Sequence, residues 1–403
     1  MNRNNYPIIV VGASIAAISF VRTLRANNDK RKILLIHGED RLPYKRTKIN
    51  KNMVRGFDKD DFKIADREWY KDNDVDLIYD RVINIDSAEK VISTQRGLVC
   101  SYEKLMLATG AVSVIPKIAG IATENLHSVQ NASDVDRVLE TCKNKDRFLI
   151  IGGGVEGVET ADQLVRKGKT VILANRMKYP LQKLFPISLL NELEQRMMDK
   201  GVKLFRGVSV AAIHEHNGHY TVNLQGQQLE FDEVIACTGA VPNIELGIKA
   251  GLKVERGIIV NAFMQTSDAD ILAAGDVAQH EQGIVTGLWH AAEHQGKLAA
   301  LTLLGKPEEH TLPPFRLKTE VFGLYMFSGA YEYVIPGVDE EVEEVDGDIR
   351  RIMYYNDNAL KAAVFLNDGP RAKIYQQALF EQWSKEKVQD ELPLPPKMTF
   401  SFG

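Results

Sequence analysis

Residues 150–160 read IIGGGVEGVET, and the chemistry they suit is anion binding. Gly152, Gly154 and Gly157 complete a G-x-G-x-x-G pattern between an apolar run and a helical one. The first glycine permits a tight turn, the second lets the backbone approach a pyrophosphate, and the third lets helix pack on strand. Val155 and Glu156 fall in the first helical turn, where unpaired N–H groups and the positive end of the helix dipole face the phosphates. A plain glycine-rich turn is the competing reading. A second stretch, VVGASIAAISFVRTLR at 10–25, carries the same pattern with two departures. Gly12 keeps the first position, Ser14 takes the second and Ala17 the third. Alanine is permitted at the third position. Serine adds a Cβ near the phosphates, but also a hydroxyl able to donate to them.

After the intact motif, the strand TVIL ends in Ala174-Asn175-Arg176, and Lys178 follows. An NAD site places an acid there for the ribose 2′-hydroxyl. A neutral residue followed by cations suits a 2′-phosphate instead, so NADPH is favoured over NADH. Arg176 on a bare surface is the bland alternative.

Other constellations exclude more than they suggest. HEHNGH at 214–219 holds three histidines around an Asn-Gly turn without cysteine or carboxylate ligands at metal spacing, so a solvated hairpin tip is expected and no metal site. Cys100, Cys142 and Cys237 are the only cysteines, and none forms a close pair. That usage suits a reducing cytoplasm and leaves no iron–sulfur ligand run. A net charge of −4 argues against a general nucleic-acid binder. No apolar run approaches the roughly 20 residues of a membrane span. The run Ile8–Phe20 after Arg3 is read as strand and helix, not as a secretory signal, because its pattern continues into a second strand.

The elements that must position these residues form two copies of one theme. PIIVVG, a helix and KILLIH make the first, and RFLIIG, a helix and TVILAN the second. Continuous β-branched runs of this kind are parallel strands buried on both faces. KLMLATG at 104–110 is echoed by EVIACTG at 233–239, and DILAAGDVAQ closes a further strand before the helix GLWHAAEHQGKLAALTLLG. From 315 the texture changes to apolar–polar alternation, with a helix from about Tyr375 and an irregular tail, ELPLPPKMTFSFG. A chain of 403 residues suits more than one core. The fold class is therefore α/β: two Rossmann-like dinucleotide-binding domains, one inserted in the other, plus a C-terminal α+β interface domain. The expected boundaries are 1–110 with 237–310, then 111–236, then 311–403.

This combination resembles the two-dinucleotide-binding-domain flavoproteins, in which the first domain holds FAD and the inserted one NAD(P)H. GEDRLPYKRTKINKNMVRG at 38–56 is similar to the flavin-flanking signature E-x-x-x-P-Y-x-R-P-x-L-S-K, with Thr47 for proline and Asn50 for serine. FRLKTEVFGLYMFSGA at 315–330 looks like the start of the third domain of the rubredoxin reductase branch. The resemblance implies that Gly12, Ser14 and Ala17 form the FAD turn, Glu39 holds the adenosine ribose, and Arg46 neutralises the pyrophosphate or ribityl region. It implies that Val82 offers backbone to the adenine, that Ala108, Thr109 and Gly110 pass the FAD phosphates, and that Asp276 binds a ribityl hydroxyl. Trp289 and His290 would open a helix aimed at the flavin ring, where reduced flavin is anionic. Gly152, Gly154, Val155, Glu156, Gly157, Asn175, Arg176 and Gly239 would hold NAD(P). Lys51 would stand near flavin N5 and pair with Glu159 at the nicotinamide–flavin junction, as the catalytic pair. A fixed cation there stabilises negative charge arriving on the flavin. A surface salt bridge of small weight is the alternative.

Disulfide reductases of this fold carry a cysteine pair beside the flavin, and oxidases a single cysteine near positions 47–50. This chain has none before Cys100. The expected activity is therefore an FAD-dependent NAD(P)H:rubredoxin or ferredoxin reductase, with a small iron protein as partner and Phe322, Phe327 or Lys318 lining its docking edge. An NAD(P)H oxidase or quinone reductase, and a non-catalytic redox sensor, are the rivals.

Overall fold

The computed structural model describes residues 4–55, 62–311, 315–330 and 338–394. The last nine residues of the tail expected to be irregular lie outside them. The chain divides into two compact units. One comprises Met1–Ile49, Phe57–Val114 and Ala240–Leu312; the other comprises Asn50–Gly56, Ile115–Gly239 and Pro313–Gly403. The short segment from Asn50 thus groups with the second unit, and so does the C-terminal stretch, which carries its own sheet and core.

In the first unit, strands Val75–Tyr79, Ile33–His37, Asn4–Val11 and Val99–Leu107 lie side by side and parallel. Val99–Leu107 then splits its free side. Its early residues pair antiparallel with Val91–Thr94, while Leu105 to Leu107 pair parallel with Ile271–Ala273. The fork brings three carboxyl ends together, those of the strands before Gly12, Thr109 and Gly275, and ligands bind outside such ends. Ile8, Ile9 and Val10 are fully buried, and each aliphatic side chain so enclosed contributes about 1.5–3 kcal/mol. Helix Ile15–Ala26 meets helix Trp289–Leu303 closely, because Ala16 faces Gly296. A Cβ on Gly296 would lie 2.1 Å from the Ala16 carbonyl oxygen, which no side chain allows.

The second unit repeats the theme with parallel strands Lys203–Arg206, Thr170–Asn175, Arg147–Ile151 and Glu233–Ala236. Helix Val155–Arg166 follows the glycine turn. A three-stranded antiparallel sheet turns at Asn217 and Gly218, both at positive φ, as the Asn-Gly pair predicts. The C-terminal stretch forms a five-stranded antiparallel sheet ordered Arg316–Val321, Leu324–Gly329, Ala359–Leu366, Ile349–Asn356 and Glu340–Asp346. Helix Ala372–Phe380, three residues earlier than the expected start, packs on it. The outer strand Glu340–Asp346 is rich in exposed acids, which discourages pairing with another chain.

Candidate functional site

The two glycine turns are built alike. The Gly12 N–H donates to the Ile36 carbonyl at 2.9 Å, and the Gly152 N–H to that of Ala174 at 2.9 Å. Both glycines take positive φ, 99° and 114°. A Cβ on Gly12 would sit 2.2 Å from the Ala108 oxygen, and one on Gly152 would sit 2.1 Å from the Cys237 oxygen. The echo between KLMLATG and EVIACTG is therefore a contact: each strand end crosses directly behind the turn it serves. The third position differs in its demand. A Cβ on Gly157 would lie 2.0 Å from the Gly152 oxygen, whereas Ala17 is accommodated with its methyl fully buried.

The second positions are where a ligand has room. Gly154 caps its helix, is exposed, and has no heavy atom within 4 Å of where its Cβ would be. Ser14 caps the first helix with extended backbone, and its hydroxyl makes no capping bond. Helix Ile15–Ala26 has no acid in its first turn. Helix N–H groups with an uncommitted cap hydroxyl fit a pyrophosphate at the first turn, and helix N–H groups with open space at Gly154 fit one at the second, where Glu156 is the acid of the first helical turn.

Around the first turn, Glu39 accepts from the Tyr44 hydroxyl at 2.7 Å and pairs with Arg46 at 2.5 Å. Tyr44, the tyrosine of the P-Y-x-R signature, joins the site although its residue type alone does not mark it as a brace for Glu39. Thr109 donates to the Asn243 carbonyl at 3.0 Å, and the Asn243 N–H returns to the Gly110 oxygen at 2.9 Å, so that crossing is fastened twice. Burial pushes the Asp276 carboxyl above its ordinary range, with Arg46 opposing. Gln295 accepts from the Gly275 N–H at 2.8 Å and holds the loop before Asp276. Val82 is buried at the start of a strand paired with Thr94. Trp289 and His290 open a helix with no acid in its first turn, and Trp289 packs against the unit's core.

Around the second turn, Asn175 is buried. Its amide donates to the Met177 carbonyl at 3.0 Å, and its side chain fills the space beside Gly153. Arg176 is exposed just beyond it. Gly239 takes φ 101° with open space around it. Val155 is half-buried. One oxygen of Glu156 is enclosed without a hydrogen-bond partner. Burial pushes this carboxyl up to about 7; Asp134 and Glu159 add to the rise and the Val129 N–H opposes it. Because the folded value lies above the ordinary carboxylate value, its contribution to stability is full at acid pH and is lost as the pH climbs through about 7. Ionised, it also sets a negative charge in the helix turn suited to phosphate. NAD(P)H affinity is therefore expected to fall between about pH 6 and about pH 8, and Glu156→Gln to flatten that dependence; calorimetric titration across this range checks it.

The second unit also assembles Lys51 and Glu159. The helical turns Asn50–Arg55 run along helix Val155–Arg166, with the Val54 N–H on Gln163 at 3.2 Å. Lys51 Nζ lies 3.7 Å from Glu159 Oε1 and donates to the Lys318 carbonyl at 2.7 Å. The Glu159 side chain is 7% exposed and that of Lys51 35%, so an enclosed carboxylate meets a partly solvated ammonium. Burial pushes its carboxyl up, while Lys51 and a hydrogen bond from Thr319 hold it down. Nothing in the sequence pointed to Thr319.

One expectation is overturned. Phe322 and Phe327 do not line an exposed edge, since both are buried. Phe327 stacks on Phe365 at 4.6 Å inside the C-terminal core, and the Phe322 N–H is taken by Asp162. Phe322 lies in the turn between the two strands and Phe327 on the second of them; Lys318, half-buried, keeps some exposure. All three cysteines are buried and unpaired, and burial raises the Cys237 thiol well above its ordinary range.

Comparison with known proteins agrees with this geometry. The sequence profile of the pyridine nucleotide-disulphide oxidoreductases matches residues 6–296. The chain is 28% identical over 305 residues to the NADH-rubredoxin oxidoreductase of Clostridium acetobutylicum, covering 75% of this chain and 76% of the relative. It is 31% identical over 317 residues to the nitric oxide reductase FlRd-NAD(+) reductase of Aeromonas salmonicida, covering 78% and 81%. A solved ferredoxin reductase from Rhodopseudomonas palustris shares the fold with a TM-score of 0.86 at 21% identity, over 96% of this chain and 97% of that one.

Proposed function

The chain belongs to the pyridine nucleotide-disulphide oxidoreductase family, and from that premise we propose an FAD-dependent oxidoreductase that takes a hydride from NAD(P)H and delivers electrons singly to a small iron redox protein. The family implies FAD and a nicotinamide dinucleotide as cofactors. The observation that carries the reading is the Lys51–Glu159 pair, a cation held against an enclosed carboxylate, in a chain that lacks any close cysteine pair.

Each residue then has a task. The turn at Gly12, with the N–H groups and hydroxyl around Ser14, receives the FAD pyrophosphate, and Asp276 takes a ribityl hydroxyl. Glu39, braced by Tyr44 and Arg46, takes the adenosine ribose. The turn at Gly152 and Gly154 receives the nicotinamide dinucleotide. Arg176, exposed past a strand end that lacks an acid, suits the 2′-phosphate of NADPH. Lys51 supplies fixed positive charge where negative charge accumulates during reduction, and Glu159 keeps the ammonium oriented. Bound FAD supplies the conversion of a two-electron donor into one-electron steps. With no thiol in position to relay, electrons leave directly to the acceptor. The buried, raised Cys237 thiol is unsuited to such a relay.

The test is anaerobic titration of the yellow holoprotein with NADH and NADPH separately, followed by stopped-flow reoxidation. Reoxidation by rubredoxin or ferredoxin faster than by air or quinone supports the reading. Fast reoxidation by air or quinone, with none by either iron protein, replaces it with an oxidase or quinone reductase.

A further inference from the structure

The strand Arg316–Val321 lies at the edge of the five-stranded sheet and, among the described residues, pairs with Leu324–Gly329 alone. An edge strand has carbonyls and N–H groups to spare on its outer side. The Lys318 carbonyl is used in this way, accepting from Lys51 Nζ at 2.7 Å. The next residue, Thr319, points inward and is buried. Its hydroxyl donates to Glu159 Oε1 at 2.6 Å, across 160 residues of chain. A β-branched side chain on a strand has few χ1 choices, so this hydroxyl has a fixed direction. One helical turn further along, the Phe322 N–H donates to Asp162 Oδ1 at 2.8 Å, which fastens the end of the strand to the same helix. The strand therefore touches both members of the ion pair and is locked to the helix carrying one of them.

We infer that the edge strand Arg316–Val321 sets the Lys51–Glu159 pair, with Thr319 as a positioning residue that holds the Glu159 carboxylate through its hydroxyl while the Lys318 carbonyl holds the Lys51 ammonium. This rests on the reading of that pair given above, and it assigns the C-terminal sheet a part in tuning the pair. A hydroxyl donor at 2.6 Å and a cation at 3.7 Å on the same carboxylate oxygen favour its ionised form. Lys51 Nζ thus sits between two acceptors, hydrogen-bonded to the Lys318 carbonyl at 2.7 Å and 3.7 Å from the carboxylate. The charges facing Glu159 are Lys51 from the Asn50–Arg55 turns, and Glu156 and Asp162 from its own helix, Asp162 being paired with Arg166 at 2.8 Å. The strand meets it with the uncharged Thr319 hydroxyl.

Removing that hydroxyl removes a donor to the charged form, so Glu159 should take up its proton at a higher pH. The experiment compares Thr319→Val and Thr319→Ser holoprotein with the unmodified protein. The titration of Glu159 is followed by the infrared band of its protonated carboxyl, assigned by its loss in Glu159→Gln. The pH profile of anaerobic flavin reduction by NAD(P)H is recorded alongside. Thr319→Val is expected to move both the band and the acid limb of the profile upward by about one pH unit, a tenfold change in the proton equilibrium. Thr319→Ser, which keeps the hydroxyl, is expected to restore both. Titration of the valine variant at the unmodified pH, or a serine variant that behaves like valine, overturns the assignment. The infrared titration is independent of what the pair does in turnover. If Lys51→Ala left reduction unchanged, the functional reading would fall while the infrared result still decided the role of Thr319.

Discussion

Lys51→Ala slows anaerobic reduction of the bound flavin by NAD(P)H by on the order of 100-fold, the scale of losing one preorganised electrostatic group, while the affinity for NAD(P)H changes little. The asymmetry follows from where the charge acts. An ammonium that meets negative charge as it develops stabilises the transition state more than the ground state, so the rate falls without matching loss of binding. The geometry makes this lysine difficult to replace. It is held by the Lys318 carbonyl and by Glu159, and its side chain is 35% exposed, so its charge is neither free in solvent nor sealed away. Its loss also leaves the Glu159 carboxylate enclosed without a countercharge, and burial already pushes that group toward its neutral form. The double variant Lys51→Ala with Glu159→Gln should therefore lose less than the product of the two single losses, because the second change relieves the stranded carboxylate. Rapid-mixing measurement of flavin bleaching in all four proteins checks this. A rate in Lys51→Ala equal to that of the unmodified protein removes Lys51 from the chemistry.

Arg351→Ala costs about 3–5 kcal/mol of the stability of the C-terminal sheet, the range for stripping one partner from a buried charged network. Arg351 is 1% exposed. It pairs with Glu344, donates to the Tyr375 hydroxyl at 3.0 Å and to the Leu392 carbonyl at 2.5 Å. Tyr375 in turn donates to Asp368 at 2.8 Å, and Asp368 pairs with Arg371 at 2.7 Å. One arginine thus ties a central strand to helix Ala372–Phe380 and to the residue just past helix Lys385–Glu391. Alanine leaves a cavity, an acceptor carbonyl and a tyrosine hydroxyl short of their partner, all inside the core. Arg351→Met with Glu344→Leu should be milder than Arg351→Ala, since it removes both charges and keeps volume. Urea unfolding followed through Trp383, buried in the same core, measures both. A loss below about 1 kcal/mol for Arg351→Ala would show that the network carries no more than an exposed pair.

The dinucleotide turns were legible because their requirements are local. A positive φ at Gly12 and Gly152 selects glycine whatever the rest of the chain does, and continuous β-branched runs mark buried parallel strands wherever they pair. The repeated strand ends, KLMLATG and EVIACTG, were visible for a related reason, since each must cross behind a glycine turn at backbone contact distance. The Asn217-Gly218 hairpin belongs to the same class of local signal. Alternation from residue 315 marks strands but not which face is core, and so does not reveal that Phe322 and Phe327 are buried. No local rule places Thr319 on Glu159, because that hydrogen bond joins residues 160 apart. Nor does any local rule bury the carboxyls of Glu156 and Glu159, or a complete arginine at 351, since desolvation depends on what the rest of the chain packs around a group. The sequence by itself determined the two phosphate-ready turns and the strands that serve them, through steric constraints that act within a few residues. The tertiary structure decided the ionisation and the restraint of the groups beside them, because solvent exclusion and hydrogen bonding across distant segments exist only once the chain has closed on itself.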